Sequence, residues 1–439
     1  MYSDLLQRIR DKSSKVGVVG LGYVGLPLAK ALVDSGYSCV GFDTDAAKIE
    51  QLRQGQSYVG HVDADWLVEA VKAKQFESTT EVSDLSAADV IILCVPTPLD
   101  QDRQPDLSFI RGTAQQLAPY LRKGQLILLE STTYPGTTRQ VVLPILEQSG
   151  LSAGRDFWLA YSPEREDPGN RSYSTRQIPR VVGGLESEGC ELAAALFRNV
   201  VASVVTVRDC ETAEACKLLE NVYRAVNIAM VNELKIVFDR LGIDIWEVIA
   251  AASTKPFGFQ AFSPGPGMGG HCIPVDPFYL SWVARQHGTS ARFIELAGEI
   301  NAQMPSYVLE KTKAALQERG ESLRGARVLL LGVAYKKDVD DPRESPAFLL
   351  MQEILAAGGV LSYHDPYVPR LPKMRHYEVP ELASVSLTAE TLANCDVALI
   401  VTDHSCVDYA LVVQHAPLVV DTRNATQALR AGRSNIVLA

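Results

Sequence analysis

Residues 16–32 read VGVVGLGYVGLPLAKAL, and few patterns restrict a fold as tightly. A β-branched run ends at Gly20-x-Gly22-x-x-Gly25, and helix-forming sequence follows at once. Gly20 permits a tight turn, Gly22 lets the backbone approach a pyrophosphate, and Gly25 lets helix and strand pack closely. The helix N-terminus then faces the phosphates. The next run, CVGFDTD, brings Asp43 to a strand end about twenty residues on. There its carboxylate would bind the adenosine ribose hydroxyls and repel a 2′-phosphate, so NAD is expected rather than NADP. The bland alternative is that Asp43 only caps the following helix. A strand, a glycine turn, a helix and an acidic residue in this order weigh against it.

The same alternation continues. VIILCVP, QLILLE, FWLAYSP and VVGG are further apolar runs bounded by Gly, Pro, Asp or Ser, the mark of buried parallel strands covered by helices on both faces. Residues 211–242, by contrast, contain no proline and repeat Ala, Leu, Val and Ile at three- and four-residue intervals. One long helix is expected, apolar on more than one face, as at an inter-domain spine or a subunit interface. Beyond it, RVLLLGVAY, VLSYHDP, VALIVTD and LVVDTRN repeat the first outline loosely, with Asp365 and Asp421 at strand ends as Asp43 is. The fold class read from this order is α/β: two Rossmann-like doubly wound domains joined by a central helical region with one long helix. The expected boundaries are 1–210 for the dinucleotide-binding domain, 211–317 for the central helical domain, and 318–439 for the second Rossmann-like domain.

A chain of 439 residues is too long for one core, and 47% hydrophobic with 21% charged residues excludes bulk disorder. Its net charge of −10 makes nucleic acid an unexpected partner. No apolar run approaches the ~18 residues of a membrane span, and residues 1–15 do not read as a signal peptide. The expectation is therefore a cytoplasmic protein, with no membrane partner and a homodimer or higher homo-oligomer built on the long helix. Eight cysteines without a C-x-x-C pair suit reduced thiols better than disulfides or a metal site.

One cysteine stands apart. FSPGPGMGGHCIPVDP, from Phe262, crowds glycines and prolines before Cys272, with Asp276 four residues further. Such a loop can bring its backbone against a ligand and expose the thiol, so Cys272 is a candidate nucleophile. His271 beside it reads as loop structure, since sequence neighbours usually point apart. On the long helix, Lys217 and Asn221 lie one turn apart and project from one face. They suit an oxyanion, and a solvated lysine gives the same pattern; spacing alone does not choose. Thr97, in the VPTP segment after a strand, is a candidate contact for the nicotinamide half.

Taken together, GxGYVG with FDxD, VPTP, STTYPGTT, SPER, K-x-x-x-N, GPGMGGHCIPVDP and AYKKDxxDxRESP resemble, in this order, the UDP-glucose and GDP-mannose dehydrogenase family of nucleotide-sugar 6-dehydrogenases. That resemblance implies a four-electron oxidation of a sugar C6 alcohol to the carboxylate with two NAD+. SPEREDPGN and TKPFGFQAFSPGPGMGGHCIP resemble the branch acting on UDP-N-acetylglucosamine for surface polysaccharides; UDP-N-acetylgalactosamine, UDP-N-acetylmannosamine and UDP-glucose are the alternatives. A non-catalytic sensor of the same ligands is a rival of another class. The resemblance implies Cys272 as the residue forming a thiohemiacetal and then a thioester, with Lys217 and Asn221 at the developing oxyanion. It places Asp276 and Thr132 at proton removal and water, and Glu164 beside C6. Tyr23, Val24, Lys48, Thr132 and Arg343 join the glycines, Asp43 and Thr97 at the cofactor. Arg165, Phe262, Gly269 and Lys336 join Glu164, Lys217 and Asn221 at the UDP-sugar. Lys48 equally fits an ordinary surface lysine, and Lys337 and Arg423 are weaker phosphate candidates. No metal is implied. Two stretches depart from UDP-glucose members: Arg165-Glu166-Asp167-Pro168-Gly169 lacks their second carboxylate, leaving water handling to Glu164 and Asp276 or to a shifted Glu166. Lys255–Phe259 replaces the stretch that carries their sugar-contacting arginine.

Overall fold

Parallel strands of consecutive apolar residues cannot face water on either side, and the computed structural model of the chain buries them between helices. It describes residues 1–59, 62–100, 104–165, 175–270, 273–374 and 377–439. Cys272, His271 and Glu166 to Gly169 lie outside the described residues. Two compact units form, Met1–Glu220 with Phe278–Thr289, and Asn221–Pro277 with Ser290–Ala439.

The first unit holds an eight-stranded sheet, β1 (Lys15–Val19), β2 (Ser38–Phe42), β3 (Phe76–Thr79), β4 (Val90–Leu93), β5 (Leu126–Leu129), β6 (Trp158–Tyr161), β7 (Arg180–Gly184) and β8 (Val204–Val207). Their order is 3-2-1-4-5-6-7-8. Every neighbouring pair is parallel except β6 with β7. All residues of β4, β5 and β6 are buried. The short edge strands β3 and β8 were not among the expected runs. In β3, FEST offers one buried aromatic and no apolar run, and its pairing with β2 makes it a strand. The order reverses direction at β1, between β2 and β4, which opens a crevice at the carboxyl ends of these strands.

The second unit has a five-stranded parallel sheet, β9 (Arg327–Leu331), β10 (Val360–His364), β11 (Val397–Ile400), β12 (Val419–Asp421) and β13 (Ile436–Leu438), ordered 10-9-11-12-13. Phe348, Met351 and Ile354 of the helix Pro346–Ala356 fill the core against Val328, Leu330 and Tyr363. The expected long helix spans Cys210–Arg240, so the division between the units falls within it. No strand occurs between 211 and 317 among the described residues, and no helix there is long and apolar enough to cross a membrane.

The second sheet repeats the glycine turn of the first but closes it. Gly332 has φ +83°, as Gly20 has φ +88°. In each, an added Cβ would meet a backbone carbonyl oxygen, Thr402 at 2.3 Å and Cys94 at 2.4 Å respectively. Two residues on, however, Ala334 stands where the first turn has Gly22, and it is fully buried. Asp365, the counterpart of Asp43, already accepts from the N–H groups of Val333, Ala334, Tyr367 and Val368 at 2.7–3.1 Å. The N–H of Asp338 donates to His404 Nδ1, so Nε2 carries the other hydrogen and donates to Asp365 at 3.0 Å. Burial alone would raise the Asp365 carboxyl, but His404 and these N–H groups hold it below the usual carboxylate range. The Asp365 carboxylate therefore braces a loop, whereas Asp43 keeps an exposed edge.

Candidate functional site

In the first unit the turn between β1 and the helix Gly25–Asp34 behaves as a phosphate cradle. An added Cβ at Gly25 would lie 1.8 Å from the Gly20 carbonyl oxygen, so only glycine closes this turn. At Gly22 nothing lies within 4 Å of that position, which leaves the backbone open to a ligand. Tyr23 is exposed and Val24 precedes the first helical turn. Asp43 accepts from the Leu21 N–H at 2.9 Å through Oδ2 and from the Asp45 N–H through Oδ1, with its side chain 12% exposed. It thus sets the turn while offering a carboxylate edge at the crevice. It does not cap the next helix: Asp45 does, accepting from Ala47 and Lys48. Lys48 Nζ lies 3.8 Å from Asp43 and 5.8 Å from the Tyr58 ring centroid. These residues fit a dinucleotide bound by an open glycine backbone, a helix N-terminus and an acidic strand end.

Two loops at the carboxyl ends of β4 and β5 complete this edge. Ser131 bridges them, accepting from the Val95 N–H at 2.9 Å and donating to the Val95 carbonyl at 2.8 Å. Thr97 is buried, and its carbonyl accepts from the Tyr279 hydroxyl, which also reaches Pro98 at 3.1 Å. Thr132 follows Ser131 and is half-buried. The TTYPGTT segment is anchored by Glu214 on the long helix. One carboxylate oxygen accepts from the Gly136 N–H at 2.6 Å, the other from the Thr138 N–H at 2.9 Å and hydroxyl at 2.6 Å. Burial pushes this carboxyl up to about 7, against donors that favour its charge.

One turn further along that helix Lys217 is buried, and its Nζ donates to the Glu164 carbonyl at 2.6 Å and to its carboxylate at 3.2 Å. The expected lysine and the expected acid therefore meet. The alternative of a solvated lysine is excluded by 5% exposure. Arg165 is held by Glu220 at 2.6 Å and by the Pro179 carbonyl at 2.7 Å. Beneath the same loop a buried Arg180–Glu130 pair reaches the Pro163 carbonyl at 3.4 Å.

In the second unit Asn221 donates to Asp276 Oδ2 at 2.6 Å, and both side chains are buried. This amide needs only one hydrogen for that bond. The described glycines before Cys272 have a cause that sequence reasoning missed: they press against protein. A Cβ on Gly265 would meet the Arg423 guanidinium at 2.4 Å, one on Gly269 would meet Tyr335 at 2.9 Å, and one on Gly270 the Tyr335 ring at 3.0 Å. At Gly269 and Gly270 the loop is thus braced on the segment that follows β9, which carries half-buried Lys336 and exposed Arg343. The Arg343 guanidinium is bidentate on Asp341, at 2.9 and 2.6 Å, and Lys337 pairs with Asp403 at 3.2 Å. Phe262 sets its edge against Tyr223, ring centroids 5.7 Å apart.

The seven described cysteines are free thiols. Burial pushes Cys39, Cys190, Cys210, Cys216 and Cys395 up, Cys395 to about 11, so these five are poor thiolates at neutral pH. No cluster of His, Cys, Asp and Glu that could hold a metal occurs among the described residues. Sequence reasoning also passed over Tyr58, whose hydroxyl donates to the Leu21 carbonyl at 2.6 Å, as well as Glu214 and Tyr279. No local signal marks a tyrosine or glutamate whose partner lies far along the chain.

Three family profiles match in order. The NAD binding domain of the UDP-glucose/GDP-mannose dehydrogenase family matches residues 14–201, its central domain 211–303, and its UDP binding domain 329–428. The chain is similar to a UDP-N-acetyl-D-glucosamine 6-dehydrogenase of Pseudomonas aeruginosa, 38% identical over 379 residues that cover 85% of this chain and 88% of that one. It is similar to a UDP-N-acetyl-D-mannosamine dehydrogenase of Yersinia pestis, 35% identical over 405 residues, with 89% and 93% covered. Its structure is similar to that of a UDP-D-ManNAc dehydrogenase from Pyrococcus horikoshii, with a TM-score of 0.86, 31% identity, and 97% and 98% of the two chains covered.

Proposed function

The chain belongs to the UDP-glucose/GDP-mannose dehydrogenase family, and from that premise we propose that it oxidises C6 of UDP-N-acetylglucosamine to the uronic acid through a covalent intermediate on Cys272. At the coarser level it is an NAD-dependent UDP-sugar dehydrogenase. Bound NAD+ supplies the hydride acceptor for each of two oxidations. The observation that supports this reading is that Lys217–Glu164 and Asn221–Asp276 are buried contacts, charged and amide groups kept out of water.

In this reading Lys217 stabilises the negative charge that develops on the C6 oxygen or exchanges its proton with it, and the second amide hydrogen of Asn221 is donated to an alkoxide. The Cys272 thiolate adds to the aldehyde carbon to form a thiohemiacetal, which keeps the aldehyde from escaping. Loss of the second hydride leaves a thioester, and water attack with release of the thiol gives the acid. Per sugar, one alcohol, one water and two NAD+ become one carboxylate, two NADH and three protons. Asp276 assists proton removal, Thr132 orients a water, and Glu164 sets the state of Lys217. Asp43 and the Gly20–Gly25 turn hold the dinucleotide, with Lys48 and Thr97 beside it; Lys336, Arg343, Arg165, Phe262 and Gly269 serve the nucleotide sugar. A division into 1–210, 211–317 and 318–439 is supported by the order of the three matched segments.

The N-acetylglucosamine choice is supported by the 38% identical relative and by the loop Lys255–Phe259. The relatives named for N-acetylmannosamine favour UDP-N-acetylmannosamine as the second reading. A panel of UDP-sugars followed at the NADH absorbance decides. The expected result is two NADH per UDP-N-acetylglucosamine and slow turnover of its C4 and C2 epimers. Faster use of an epimer or of UDP-glucose sinks the sugar assignment, and one NADH with aldehyde product sinks the four-electron reading. The product is a building block of surface polysaccharide in this reading.

A homodimer belongs to the same proposal. Tyr223, Met230 and Val237 recur at seven-residue intervals along one face of the long helix, with Leu241 just past its end, and all four stay 44% to 64% exposed, an apolar stripe suited to a second copy. Light scattering at micromolar concentration should return twice the chain mass, and Val237→Glu should halve it; a monomeric wild type removes the proposal.

A further inference from the structure

Two buried asparagines in the second unit do work that no catalytic assignment covers. Asn232 lies in the long helix at 0% exposure, and Asn301 in the helix Arg292–Glu318 at 4%. Asn232 accepts from the Gly265 N–H at 3.0 Å and donates to Asn301 Oδ1 at 2.8 Å. Asn301 in turn donates to the Ala225 carbonyl at 3.3 Å and to Met268 Sδ at 3.4 Å.

The direction of this chain of bonds is dictated from both ends. The Gly265 N–H can only donate, so Asn232 must turn its oxygen to it and its nitrogen to Asn301. Asn301 must then answer with its oxygen, which leaves its nitrogen facing the Ala225 carbonyl and the Met268 thioether, both acceptors. Each amide therefore has one orientation, and the network holds the loop in one position at two points, Gly265 and Met268. Ala225 lies one turn along the helix from Asn221, so the same few residues of helix carry both the loop anchor and the amide bonded to Asp276. Gly265 cannot shift toward the second sheet either, because the Arg423 guanidinium fills that side.

We propose that Asn232 and Asn301 are positioning residues that set the glycine loop leading to Cys272 against the long helix, so that the reaction depends on them although neither touches substrate. This inference rests on the covalent reading of Cys272 given above. Its chemical content is a register: apolar residues of similar size would fill the space but would not choose among the positions a loop with so many glycines can take.

The test uses the full-length protein with Asn232→Leu, Asn301→Leu and the double variant. A single substitution leaves the other amide buried without its partner, so melting temperature should fall in the singles. In the double variant the mismatch between the two amides is removed while the Gly265 N–H still lacks its acceptor, so part of that fall should be recovered. Turnover is the separating readout. The expected result is kcat for acid formation lower by about 30-fold or more in all three variants, with KM for the UDP-sugar and NADH affinity little changed. Wild-type kcat in the singles, or a kcat that recovers together with melting temperature in the double variant, overturns the positioning role. Cys272→Ala is assayed alongside. If it still forms acid, the covalent reading fails and this inference with it; if it forms none while the asparagine variants turn over normally, only the inference fails.

Discussion

Cys272→Ala should lose acid formation by about 10⁴-fold or more in kcat, the scale on which removal of a covalent nucleophile acts. NADH binding and melting temperature should stay near those of the wild type, because the thiol is asked for reactivity rather than packing. Five of the seven described cysteines are poor substitutes, because burial raises their thiols. Cys272→Ser should behave differently. A serine oxygen can be acylated, but an oxygen ester gives up its acyl group to water more reluctantly than a thioester, so the enzyme should stall with sugar attached. Mass spectrometry of the intact protein after incubation with UDP-sugar and NAD+ detects that adduct. An alanine variant that makes acid at more than about a hundredth of the wild-type rate would show that the chemistry proceeds without a sulfur intermediate.

Lys217→Met should lower kcat by about 10²- to 10³-fold, the loss typical of removing one preorganised group from a developing oxyanion. It should also cost about 3 kcal/mol of stability, since the Glu164 carboxylate is left buried without its cation. The two effects separate in the double variant Lys217→Met with Glu164→Gln, which buries no uncompensated charge. Thermal unfolding should return most of the way to the wild type, while turnover stays low. If turnover returned with stability, Lys217 would be a structural ion pair and its catalytic assignment would fall. A solvated surface lysine would show neither effect, and 5% exposure already speaks against that reading.

The dinucleotide turn was legible because its constraints are local. Gly20 needs positive φ and Gly25 a close approach to a carbonyl five residues earlier, and both needs are written within one turn of chain. The long helix was legible for the same reason, since periodicity is a property of neighbours. Lys217 and Asn221 were visible only as a spacing. Their partners, Glu164 and Asp276, lie 53 and 55 residues away in sequence, and no pattern announces such a pairing. The glycines before Cys272 show a subtler limit. Their need for space was plain, but the claimant was taken to be a ligand, and in the described part of the loop it is Arg423, Tyr335 and Pro346.

Asp43 and Asp365 mark the boundary between the two kinds of information. Each ends the second strand of its sheet's opening strand–helix–strand unit, and residue type with local context makes them equivalents. Folding makes them different, because His404 and four backbone N–H groups surround one carboxylate and leave an edge of the other open. Residue order thus sets which elements form and which backbone positions must be glycine, since those depend on contacts within a few residues. Which polar group is occupied by the protein and which stays available to a ligand depends on chain segments brought together from far apart, where hydrogen-bond partners are assigned by packing rather than by proximity along the chain.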